Sequence, residues 1–200
     1  MSSTTRIPKA EITGVSGALI KRLSRKRLGD VPEPVGVYWH NRRVLKTFFA
    51  VSSKAGKWNA CDESLKALAH MAAASLIGCS FCLDLGYFMA HKDGADGLDV
   101  AKAREVPRWR GSDVFTVLER DVMEYAEAMS QTPPTATDEL SARLLDQLGE
   151  PALVELTAFI ALSNFVARSN TAFGITAQGF SDACGLPPIA TPSTDAFDLA

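Results

Sequence analysis

The segment best equipped for chemistry is Cys79-Ser80-Phe81-Cys82. Two thiols three residues apart on a helix share one face. Their Cα atoms then fall within the ~4.4–6.8 Å that a disulfide tolerates. One sulfur can attack a peroxide or a disulfide, and the other can resolve the product. Gly78 precedes the pair, so Cys79 is predicted to open a helix, where free N–H groups and the helix dipole favour a thiolate. Two other readings compete. The cysteines would also serve as small core residues. A structural zinc site needs about four ligands. There is no second C-x-x-C, so Cys61, His70, His91 or Cys184 would have to converge on the pair. The context of helix, glycine, helix also differs from the strand-led setting of a thioredoxin motif. A redox dithiol is therefore the reading adopted, with no metal and no bound cofactor.

The elements that must position this pair read as helices throughout. Val15, Leu19, Ile20 and Leu23 recur at helical spacing and predict a first helix ending near Leu28. Its other face, Lys21, Arg22, Arg25, Lys26 and Arg27, reads as a solvated surface rather than a nucleic-acid site. Pro32 and Pro34 mark a turn and a helix start. Asn59 or Asp62 caps a helix of roughly 62–76, and Gly78 ends it. The Cys79 helix runs to about Lys92, with Gly94 as its stop. A short helix near Leu98–Glu105 follows, then one of about 113–129 capped by Ser112 or Asp113. Thr137 and Asp138 start the next, which ends at Gly149, and Pro151 opens a long apolar helix to about Ala172. No alternating strand pattern is present, so the class is all-α. Residues 1–12 read as a flexible arm, 13–184 as one domain, and 185–200 as a Pro-rich tail.

Composition agrees with a folded domain. The chain has 200 residues, 46% of them hydrophobic, enough to build a sizeable core. A net charge of −2 gives no field that would recruit nucleic acid or an acidic membrane. The N-terminal Met-Ser-Ser-Thr-Thr-Arg has no apolar run, and no stretch reaches ~18 consecutive apolar residues. A cytoplasmic protein without a membrane partner is expected, and four cysteines are too few for a disulfide scaffold.

The sequence resembles the carboxymuconolactone decarboxylase / alkylhydroperoxidase D-like family over about residues 35–180. The resemblance centres on Leu65-Lys66-Ala67-Leu68, Ile77-Gly78-Cys79-Ser80-Phe81-Cys82 and Ala90-His91-Lys92-Asp93-Gly94. It continues through the Pro133-Pro134 break and Val154–Arg168. It implies an alkylhydroperoxidase D-like helical bundle with the C-x-x-C at a helix N-terminus. It further implies that Cys82 is oxidised to a sulfenic acid and Cys79 resolves it. The peroxidase members also use a Glu and two His as a proton relay. Those positions hold Ala67, Phe81 and Gly86 here, none of which can take a proton. His70, Asp84 and Glu63 are the candidate substitutes. Asn164 and Arg168 share a face of the long helix and read as packing groups.

The resemblance implies a thiol-dependent peroxidase or dithiol oxidoreductase acting on a small hydroperoxide. A dithiol or lipoyl-type reductant would reset it, and a homo-oligomer is expected. Two alternatives stand beside this. One is lyase chemistry on a small carboxylated lactone, as in carboxymuconolactone decarboxylase. The other is a non-catalytic oligomeric member of the fold, in keeping with the missing relay.

Overall fold

The computed structural model describes residues 5–94 and 97–191, and no strand occurs among them. The helices in chain order are α1 (Gly14–Leu28), α2 (Glu33–Tyr38), α3 (Arg42–Ala55), α4 (Glu63–Ile77), α5 (Ser80–Asp93), α6 (Val100–Glu105), α7 (Val117–Ser130), α8 (Asp138–Phe173) and α9 (Phe180–Ala183). The fold is an all-α bundle with α4 at its centre, packed against α5, α7 and α8.

Composition explains the position of α4. Leu68, Ala69, Met71, Ala72, Ala73 and Ala74 are all buried. A run of alanines lets three neighbours approach closely, and alanine loses no side-chain entropy in a helix. The matching faces come from Val122, Met123 and Ala126 on α7 and Leu156 and Ile160 on α8. Each large aliphatic side chain so buried contributes roughly 1.5–3 kcal/mol.

The helix ends follow local chemistry. Asp62 caps α4 by accepting the Ser64 N–H at 2.7 Å. Thr116 and Glu119 cap α7 reciprocally, so α7 starts later than the predicted Ser112 or Asp113. The T-x-x-E capping box satisfies two free donors where a lone Ser or Asp satisfies one. Gly149, at φ +74, breaks α8 at the predicted boundary, ahead of Pro151. By length and composition α8 could cross a membrane. Gly149 interrupts it, however, and its buried Glu155 is ion-paired with Lys66 at 2.8 Å.

The predicted arms make specific contacts where they are described. Arg6 N–H donates to the Phe173 carbonyl and Ala10 N–H to the Gly36 carbonyl. In the tail, Ala190 N–H donates to the Arg104 carbonyl, and Leu186 and Ile189 pack on the core. The remainder of each arm, residues 1–4 and 192–200, lies outside the described residues.

Candidate dithiol site

The junction between α4 and α5 sets the position of both sulfurs. Gly78 adopts φ +80, which only glycine enters without strain. That turn lets Cys79 N–H donate to the Ala74 carbonyl at 2.9 Å, closing α4 in a Schellman-type end. Cys79 becomes the N-cap of α5, and its Sγ accepts the Cys82 N–H at 3.3 Å. The two cysteines are disulfide-bonded, with Cα atoms 5.3 Å apart. Both are buried, among Val37, Ala74, Phe81, Phe88, Ala167, Ile175 and Phe180.

Residues 175–183 form a strap over this pair, and Asp84 holds it down. Its Oδ2 accepts the N–H groups of Gln178 and Phe180, each at 3.0 Å. Its Oδ1 accepts the Ser181 N–H at 2.9 Å and the Ser181 hydroxyl at 2.7 Å. Ala177 N–H donates to Ser80 Oγ, and Glu33 N–H donates to Gln178 Oε1. All four donors met by Asp84 come from the strap, so its oxygens are committed to structure.

Glu63 is exposed and ion-paired with Lys66 Nζ at 2.7 Å. Lys66 is almost fully buried and also meets Glu155 and the Trp58 carbonyl. Burial works against both charges of the Lys66–Glu155 pair. Their mutual hydrogen bond, with further bonds to Glu63 and to backbone N–H groups, outweighs it. The Lys66 pKa ends above its usual value and that of Glu155 below.

His70 lines a cavity of about 250 Å³ together with Ala67, Gly86 and Met89. Two of the three positions where the peroxidase members carry relay groups therefore open onto the same space as His70. Ser163 Oγ donates to the Phe159 carbonyl at 2.9 Å. Its contact with His70 Nδ1 at 3.0 Å must then have the ring nitrogen as donor. That leaves Nε2 as an acceptor. Burial holds the imidazole pKa down to about 4, so the ring is neutral at pH 7.

The third relay position, Phe81, lies on the other flank of α5. It stands edge-on to Phe180 and lines a second pocket, of about 190 Å³, with Pro34, Tyr38, Phe48 and Val166. Asn170 on α8 also lines this pocket, and its Nδ2 donates to Cys82 Sγ at 3.6 Å. Asn170 was not visible as a site residue, because nothing in the sequence links it to a cysteine 88 positions away. Of the other groups considered, Arg168 donates to the Ser130 carbonyl and Asn164 Nδ2 to Ser130 Oγ, tying α8 to the end of α7. His91 is exposed near the end of α5. Cys61 is buried with its thiol pKa pushed up to about 11 by that burial, and Cys184 is exposed. Among the described residues no three or more His, Cys, Asp or Glu side chains group as metal ligands do.

Several solved structures share this fold. The debrominase Bmp8 is 21% identical with a TM-score of 0.75, covering 90% of this chain and 97% of that one. It has also been solved as a cysteine-to-alanine variant with 2,3,4-tribromopyrrole. An alkylhydroperoxidase AhpD core protein from Ralstonia eutropha JMP134, described as peroxidase-related, is 14% identical with a TM-score of 0.74 over 90% and 96%. The chain thus has the alkylhydroperoxidase D-like helical fold. No family model matches the sequence. Over 170 residues it is 36% identical to the uncharacterized protein YnjA of Escherichia coli K12, covering 82% of this chain and 88% of that protein. The chain belongs to the same family as YnjA.

Proposed function

We propose that the protein is a dithiol oxidoreductase that reduces small hydroperoxides through Cys82 and Cys79. The observation that carries this reading is the bonded pair at the start of α5, with Cys82 also held by Asn170. In the reduced protein the Cys82 thiolate attacks the distal peroxide oxygen. The O–O bond breaks, the alcohol leaves after taking a proton, and Cys82 becomes a sulfenic acid. The Cys79 thiol displaces water from that sulfur and closes the disulfide. An external dithiol then restores both thiols by exchange. The test is peroxide consumption, with thiol loss, by wild type, Cys79→Ser and Cys82→Ser. Cys79→Ser should stall at the sulfenic acid, and Cys82→Ser should form none. Wild-type consumption equal to that of the double serine variant removes this reading.

A second reading is supported by the likeness to the debrominase and by the aromatic pocket beside Asn170. Here the dithiol reduces a carbon–bromine bond. The aryl bromide gains hydrogen, bromide and a proton are released, and the two thiols become the disulfide. Bromide release from a bromopyrrole by the reduced protein, absent in Cys82→Ser, is the corresponding assay.

A further inference from the structure

The pocket between α2, α3, α5 and α8 has a wall that is almost wholly apolar, built from Pro34, Tyr38, Leu45, Phe48, Leu85 and Val166. Ser52, the Tyr38 hydroxyl and the Asn170 amide are its polar groups, and of these only Asn170 also contacts a cysteine. Asn170 is 1% exposed, and its Oδ1 has no hydrogen-bond partner. A buried amide oxygen left unpaired costs on the scale of a lost hydrogen bond, and native structures rarely leave one without a purpose. The other end of the same planar amide is engaged, since Nδ2 donates to Cys82 Sγ. The residue thus has one hand on the sulfur and one empty.

Size narrows what can fill the place. At about 190 Å³ the pocket lies below the ~300–1,000 Å³ of sites for drug-sized ligands. It is slightly larger than the ~150 Å³ apolar cavity that accommodates benzene. A single ring or a short branched chain fits. The stack of Phe48 on Phe165, with centroids 4.5 Å apart, and the Tyr38–Phe48 contact at 4.6 Å give the pocket a firm aromatic side.

We infer that this pocket binds a small apolar molecule, one ring in size, carrying a single O–H or N–H donor that Asn170 Oδ1 accepts. The inference rests on the dithiol reading and gives it a substrate class: hydroperoxides or halogenated aromatics with an apolar body and one donor. Because Oδ1 and Nδ2 belong to one amide, the ligand's donor end is brought to the flank of Cys82. A charged carboxylated molecule is excluded, because the wall offers it no cation.

The test uses equilibrium dialysis of the full-length disulfide form with 4-bromophenol and 4-bromotoluene. These have nearly the same shape, and only the first has a donor. Wild type should bind the phenol at least tenfold more tightly, although the toluene is the more apolar. Asn170→Leu should reverse the preference. Should that variant not fold, Val166→Phe fills the pocket without touching Asn170 or the cysteines, and should weaken both probes at least tenfold. Equal binding of the two probes by wild type overturns the inference. So does Val166→Phe binding both as wild type does, or phenol affinity that falls as protein concentration rises, since a second chain would then be the occupant. The disulfide form does no turnover, so the two readings fail separately. Peroxide consumed without phenol selectivity sinks the pocket alone, and phenol selectivity without any thiol-dependent turnover sinks the dithiol reading alone.

Discussion

Replacing Asp84 with asparagine should unlatch the strap and expose the dithiol. The carboxylate accepts four hydrogen bonds from residues 178–181. An amide of the same shape offers one oxygen, which can serve two of these donors. The other two then face an NH2 group. Hydrogen bonds to a charged group contribute about 1.5–3 kcal/mol each, so losing two costs at least about 3 kcal/mol. If that falls on local opening rather than global unfolding, the open population rises on the order of 10²-fold. The assay is alkylation of the reduced protein by iodoacetamide, read by mass spectrometry on the peptide holding Cys79 and Cys82. One confounding effect must be separated. Removing a negative charge two residues from Cys82 also favours its thiolate. That effect shifts the midpoint of the pH–rate profile to lower pH, whereas strap opening raises the plateau and leaves the midpoint unmoved. Ser181→Ala keeps the charge and removes only the bond from the Ser181 hydroxyl, so it should raise the plateau more modestly. A folded Asp84→Asn protein whose plateau stays within twofold of wild type would refute the latch.

Other consequences follow from the same geometry. His70 stays neutral in the fold down to about pH 4, while in the unfolded chain it protonates near 6.5. Between those values the unfolded chain binds the extra proton, so stability falls as pH falls, by up to about 3 kcal/mol. His70→Gln should flatten that slope in urea titrations at pH 7 and 4.5; an unchanged slope contradicts the assignment. Glu155→Ala leaves buried Lys66 with only Glu63 and the Trp58 carbonyl as partners and should cost about 1.5–3 kcal/mol, whereas Lys66→Met combined with Glu155→Leu should cost less. Glu155 is held below its usual value of 4.5, so the wild-type pair stabilises above about that pH and loses its contribution as pH falls further. Joint Ala67→Glu and Gly86→His substitution should raise peroxide consumption about 10²-fold or more by supplying a general base. Gly86→His displaces Met71, whose Cγ stands 2.9 Å from where the new Cβ would be, so Met71→Ala should restore lost stability. A folded triple variant with wild-type turnover argues against this route. In the oxidised protein a thiol reagent should label Cys184 within the mixing time and Cys61 only on unfolding; rapid reaction of both contradicts the burial of Cys61.

The helix boundaries were legible wherever a local signal was strong. Asp62, Gly78, Gly94, Thr137 and Gly149 each act through their own or adjacent backbone, so their effect is readable from the residue alone. The start of α7 was misplaced because Ser112 and Asp113 look like caps until the reciprocal Thr116–Glu119 pair is considered. The dithiol was visible because its meaning lies in a three-residue spacing. The roles of Asp84, Lys66 and Asn170 were not, since each is defined by a partner on a distant segment. Asp84 reads as a candidate base until the strap returns to it from 94 residues away. The apolar stripe of α1 shows the opposite limit. Val15, Leu19 and Leu23 have helical spacing, yet all three remain exposed.

Cys79 caps α5 with its sulfur, and this makes helix stability and oxidising power two sides of one equilibrium. A thiolate accepts the Cys82 N–H more strongly than a disulfide sulfur does, and it also meets the positive end of the helix. Reduction therefore tightens the first turn of α5, and oxidation loosens it. By linkage, whatever firms that turn favours the reduced pair over the disulfide. The strap rests on the same turn, through the Ala177 N–H that donates to Ser80 Oγ.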